Sequence, residues 1–192
     1  KQELEKEKEV VIDEINSYKD SPSDLIFDEF DQLLFADHTL GNDILGSIKS
    51  VKSITKSNVV DFVNKHYQPE NIVISSVGNY NLNKLLKILN KAFSLVGNKY
   101  ETPKRIAPVF KPVLDKEVIK DVYQSHTMIG GKGYGSDSDH KTGLLLLNNL
   151  LGGPAMNSRL NLNIREKYGD TYMLESNCSI YSDCGSFSVY FG

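Results

Sequence analysis

Hydrophobic and polar positions alternate along the chain with two periods, and the change of period outlines its architecture. Residues 3–19 carry Leu4, Val10, Val11 and Tyr18 against Glu5, Glu9, Asp13 and Asn16, the spacing of an amphipathic helix. Asp20-Ser21-Pro22-Ser23 stops it, and Leu25, Phe27, Phe30, Leu33 and Leu34 mark a second helix over 23–35. Pro22 falls where a first-turn proline is tolerated. A loop with two glycines, 35–46, follows. Capping oxygens at Ser53, Thr55 and Ser57 then predict a helix to Tyr67 with Val59, Phe62, Val63 and Tyr67 turned inward. The β-branched run 72–78 predicts a buried strand, and 82–93 repeats Leu85, Leu86, Leu89 and Phe93 on one helical face.

The pattern lapses over 97–116, where Pro103, Pro108 and Pro112 interrupt any period, as expected of a linker. Beyond it a strand is predicted over 117–131 and a helix through Leu144–Leu151, ended by Gly152-Gly153-Pro154. A helix capped by Asn157 or Ser158 is ended by Gly169. Thr171–Tyr181 alternates as a strand, Asp183-Cys184-Gly185 turns the chain, and Phe187, Val189 and Phe191 return on one face. These elements predict an α+β protein of two related units, each a mainly antiparallel sheet with helices on one face and each incomplete. The expected boundaries are 1–96, a linker 97–116, and 117–192.

Composition adds mainly exclusions. A net charge of −3 over 192 residues indicates no nucleic-acid-binding surface. The longest apolar run, Leu144 to Leu147, is far short of the roughly 20 residues of a membrane span. Cys178 and Cys184 make no metal spacing with a histidine and read as free thiols. The sequence opens at Lys1 inside a charged helix and closes at Gly192 inside a strand, so both ends are expected to be interior points of a longer protein. The compartment is left open, with cytoplasm and periplasm both compatible.

Two constellations carry chemistry. Glu7 and Glu14, seven apart on the first helix, lie nearly one above the other at the edge of the apolar arc. An ionised carboxylate facing inward there costs several kcal/mol unless it is paired or metal-bound; the simpler reading is that both reach out to solvent. The other constellation is Gly152-Gly153-Pro154-Ala155-Met156-Asn157-Ser158-Arg159-Leu160 followed by Ile164-Arg165-Glu166-Lys167-Tyr168-Gly169-Asp170-Thr171-Tyr172. Within it Arg165 and Tyr172 stand seven apart. The structural reading is an arginine favouring a helix C-terminus and a tyrosine opening a strand.

Together these residues resemble the pitrilysin, or insulinase (M16), family of zinc metallopeptidases, which includes the mitochondrial processing peptidases. The E-x6-E helix, the His38-x-x-Gly41-x-x-x-x-Gly46 segment and the G-G-x-x-S-R-L…I-R-E-x-x-G-x-x-Y pattern carry the resemblance. It implies that Glu14 is a zinc ligand, that Glu7 orients the metal site, and that Arg165 and Tyr172 contact the substrate. His38 has no metal role in it. The resemblance further implies a parent endopeptidase that cleaves peptides or unfolded polypeptide in a closed chamber, as a homodimer or paired with a related subunit. The family's HxxEH is absent from this chain, whose histidines are His38, His66, His126 and His140. Zinc is therefore expected in the parent and not in this portion alone, which should be inactive by itself. Two other readings stand beside it: a non-catalytic subunit or peptide-binding chamber half of the same fold, and an unrelated small α+β binding module.

Overall fold

The computed structural model describes residues 2–93, 104–110 and 115–192. Most of the expected linker, 97–103 and 111–114, lies outside the described residues. Packing divides the chain into two compact units, Lys1–Lys8 with Lys49–Arg105 and Glu9–Ile48 with Ile106–Gly192. These units do not follow the boundaries expected from sequence, because residues 9–48 pack with the later half of the chain.

The first unit takes the start of α1 (Gln2–Lys19), α3 (Ile48–Ser53), α4 (Lys56–His66) and α5 (Leu82–Phe93). Thr55 begins α4 with a reciprocal cap: its hydroxyl accepts from Asn58 N–H while the Asn58 side chain accepts from Thr55 N–H. Lys8, with its side chain only 12% exposed, donates to the Lys52 carbonyl in the last turn of α3 and pairs with Glu5 at 3.1 Å. Helix α3 was not anticipated. Two inward assignments need correction. Val59, Phe62, Val63 and Tyr67 are all exposed rather than turned inward. The run 72–78 is not a strand, and Val73 and Val77 lie open to solvent. A strand must hand its N–H and C=O groups to a neighbour, and no strand among the described residues pairs with this one.

The second unit is built on an antiparallel sheet of β1 (Thr127–Gly133), β2 (Leu174–Ile180) and β3 (Gly185–Phe191), in the order β1-β3-β2. Strand β1 starts at Thr127, ten residues later than expected, because its register is set by β3: Thr127 opposes Phe191 and Gly133 opposes Gly185. Gly130, Ser188 and Asn177 share one face, whereas Ile129, Val189 and Ser176 share the other.

Helix α2 (Pro22–Leu34) covers the first face. The space at Gly130 is closed by the Phe30 ring, which a Cβ would meet at 2.7 Å, and by the Phe187 carbonyl. Phe27 meets Tyr190 with ring centroids 5.2 Å apart, and Tyr190 is 1% exposed. Just beyond α2, Phe35 is fully buried against Phe110 and Tyr181. Phe187, Val189 and Phe191 do share a face, yet the opposite face with Ser186, Ser188 and Tyr190 is the more deeply buried one. Helix α6 (Lys141–Gly152) lies on the second face. Ser176 Oγ donates to the Asn148 carbonyl at 2.9 Å, and a Cβ on Gly152 would sit 2.6 Å from Ser176 N. The glycine therefore does more than end a helix. It lets the helix backbone touch β2. The architecture is α+β, as the sequence predicts.

Two outcomes follow from this packing. Gly152→Ala should lower stability by about 1–3 kcal/mol, the usual cost of forcing an atom into a filled contact, read as a fall in the chemical-denaturation midpoint. On α2, burial followed by Asp28 raises the Asp31 carboxyl above its ordinary 3.8. A raised carboxyl binds protons more tightly folded than unfolded, so its contribution is present below about pH 3.8 and is lost as pH rises through the folded value. Asp31→Asn should accordingly raise the melting temperature at neutral pH, with the gain shrinking as the pH is lowered through that range. No gain at pH 7 would contradict the placement.

Candidate functional site

The chain leaves α6 through Gly153 and re-forms a helix at Ser158, whose N–H donates to the Ala155 carbonyl at 3.0 Å. Its middle is not α-helical. Asn161–Glu166 is a π-helix, with i→i+5 bonding in place of i→i+4. Asn161 and Ser158 are both buried, and Asn161 Nδ2 donates to Ser158 Oγ at 2.7 Å. Two residues along, Asn163 Nδ2 donates to the Arg159 carbonyl, also at 2.7 Å. Gly169 N–H donates to the Arg165 carbonyl at 2.9 Å and ends the helix, as the sequence predicts.

Arg165 leaves this π-turn with its guanidinium 5.5 Å from the centroid of the Tyr172 ring, a cation–π contact. Tyr172 is 79% exposed. Its backbone is fixed by the end of β3: Tyr172 N–H donates to the Gly192 carbonyl at 3.3 Å, and Gly192 N–H donates to the Met173 carbonyl at 3.1 Å. The Thr171 hydroxyl lies 2.5 Å from the Gly192 carbonyl and 2.8 Å from that of Met173, donating its one hydrogen between them. Two side chains seven residues apart are thus brought together, Tyr172 exposed and Arg165 half-buried. From sequence, Ser158 is named only as a possible helix cap, and no role is given to Asn161 or Thr171. A serine and an asparagine at i,i+3, positions 158 and 161, were the available signal for the first two.

Glu7 and Glu14 are placed differently. The inward side of α1 is Leu4, Lys8, Val11, Ile12 and Ile15, with Ile15 3% exposed, whereas Glu7, Val10 and Glu14 are exposed. Of the two readings of these carboxylates, their exposure matches the simpler one, in which both reach out to solvent, and not the interior-facing one. The helix is turned so that Lys8 and Ile15 point in, and among the described residues neither the Glu7 nor the Glu14 carboxylate makes a hydrogen bond or ion pair. Among those residues, no group of three or more His, Cys, Asp and Glu could hold a metal ion. A zinc centre takes three protein ligands and a water or a fourth ligand. The residues present do not by themselves fit one.

His38 has a local task. Its Nδ1 accepts from Leu40 N–H at 3.1 Å, capping the turn Thr39–Gly41, and its Nε2 therefore donates to the Ile106 carbonyl at 2.8 Å. The small cavity beside it, about 220 Å³, includes none of the four candidate side chains.

Comparison with known proteins gives these residues a setting. Residues 53–192 match the family model described as the peptidase M16 inactive domain. An uncharacterized zinc protease of Bacillus subtilis is 33% identical over 193 residues, covering 99% of this chain and 46% of that protein. One from Streptomyces coelicolor is 31% identical over 198 residues, covering 100% of this chain and 43% of the relative. The chain thus spans less than half the length of these relatives. Among solved structures, a peptidase M16 inactive domain from Pseudomonas fluorescens superimposes with a TM-score of 0.81 at 23% identity, over 99% of this chain and 46% of that one. A protease from Helicobacter pylori gives 0.82, also at 23% identity, over 100% and 48%. The chain belongs to the peptidase M16 family, its residues 53–192 matching the portion described as the inactive domain.

Proposed function

We propose that this chain is the substrate-contacting portion of a zinc-dependent endopeptidase that hydrolyses peptides or unfolded polypeptide in a closed chamber. The observation that carries the reading is the meeting of Arg165 and Tyr172, two groups suited to the same carbonyl, on an accessible surface. The guanidinium fork holds the peptide carbonyl, and the phenol O–H donates to the oxygen as negative charge develops on it. Stacking the cation on the ring holds the arginine ready without consuming its N–H donors. That relatives are named zinc proteases supports a metal in the whole protein. Glu14 would be one carboxylate among its ligands and Glu7 a residue that orients it, the remaining ligands lying elsewhere in the whole protein. The absence of HxxEH from these 192 residues keeps catalysis out of this portion alone.

The test is made in the full-length protein. Tyr172→Phe keeps the ring and its stacking and removes only the donor, so the melting temperature should stay nearly unchanged. Turnover should fall about 10- to 1,000-fold, the order seen when an oxyanion donor is lost. Arg165→Lys should also damage turnover, because a point charge cannot reproduce the planar fork. Wild-type turnover in Tyr172→Phe would end the assignment. It would favour instead a non-catalytic, peptide-binding half of the same fold. Separately, Glu14→Gln should lower zinc content and activity together, and retention of both would remove Glu14 from the metal site.

A further inference from the structure

We infer that Asn161, through its buried hydrogen bond to Ser158, is the positioning residue that sets where Arg165 emerges. This rests on the proposed role of Arg165 at the substrate. The argument begins with the backbone. A π-turn closes its ring one residue later than an α-turn, so side chains beyond it leave the axis in a different direction. Asn161 is the first residue of the π-helix and Arg165 the fifth. Such a turn is rare and needs local support. Here the support is a bond between two buried side chains, Asn161 Nδ2 to Ser158 Oγ at 2.7 Å, with Ser158 4% and Asn161 8% exposed. Either partner left alone would be an unsatisfied buried polar group.

The remaining contacts make the choice of Asn161 specific. Asn163 satisfies the Arg159 carbonyl on the exposed side of the same turn, where water can replace it. The helix end is fixed by Gly169, and Tyr172 by Thr171 and Gly192, so both the far end and the acceptor ring are held independently. What is left to determine the guanidinium position is the start of the π-turn. Losing the Asn161–Ser158 bond lets the segment return to α-helical bonding, which carries Arg165 away from the Tyr172 ring.

The full-length protein, labelled at arginine side chains, provides a readout that does not depend on activity. Stacking on Tyr172 displaces the Arg165 side-chain NMR signals upfield, and Tyr172→Leu identifies that displacement by abolishing it. Asn161→Ala and Ser158→Ala should each reduce it by about half or more, and the double variant should lose no more than either, as expected for partners in one bond. In peptide cleavage, Asn161→Ala should lower kcat about 10- to 100-fold, the scale of a small misplacement, and add nothing to Arg165→Ala. An undisturbed Arg165 signal in Asn161→Ala overturns the inference, even if Arg165→Ala is inactive. Full activity in Arg165→Ala overturns the functional reading instead, while the displacement still decides whether Asn161 positions the arginine.

Discussion

The burial of one phenol on the central strand is the constraint from which the second unit follows. Tyr190 lies on β3, between β1 and β2, under the Phe27 ring and with its hydroxyl 2.8 Å from His126 Nδ1. Burial, with the Glu175 and Asp24 carboxylates adding to it, raises that phenol above its ordinary value. Holding Tyr190 draws α2 onto the sheet and fixes the end of β3. Two residues later, Gly192 offers the carbonyl that Thr171 and Tyr172 use. The surface pair is thus anchored, a few residues away, to the most deeply buried aromatic of the sheet.

The two faces of that sheet solve the same problem in different ways. On one, bulky rings from α2 fill the space over Gly130. On the other, α6 brings its own backbone down onto Ser176, with Gly152 in between. Dispersion and apolar burial favour the first contact, and hydrogen bonding to the Asn148 carbonyl directs the second. The helix that bears Arg165 begins directly after this second contact, so the close approach at Gly152 also sets where that helix starts.

The legible part of the sequence was whatever local periodicity and chain-stopping residues govern. Helices α1, α2, α5 and α6 sit where apolar spacing predicts them, and Gly169 ends the helix it was expected to end. Strands were harder, because a β-branched run reports fitness for a sheet and says nothing of a partner. That is why 72–78 was read as a strand and why β1 was started too early. The orientation of α1 was misjudged for a similar reason. Its inward face carries Ile15, which is buried, and Lys8, which reaches the Lys52 carbonyl across a long stretch of chain. Arg165 and Tyr172 were legible as a pair of residue types at a fixed separation. Their meeting was not, since it depends on a π-turn and on the Gly192 carbonyl.

That π-turn changes what a matching motif means. A family pattern counts positions, and by that count Arg165 and Tyr172 stand seven apart here as in any chain that carries the same letters. Aim, however, is measured in degrees around a helix axis, and a π-turn alters the angle while leaving the count untouched. Two chains could align without a gap across this segment and still direct the guanidinium to different sides. Conversely, removing one residue inside the turn would look like a minor gap in an alignment while restoring ordinary helical phase. Sequence identity through this stretch is thus a measure of vocabulary, and the backbone hydrogen-bonding pattern is the grammar that gives it direction.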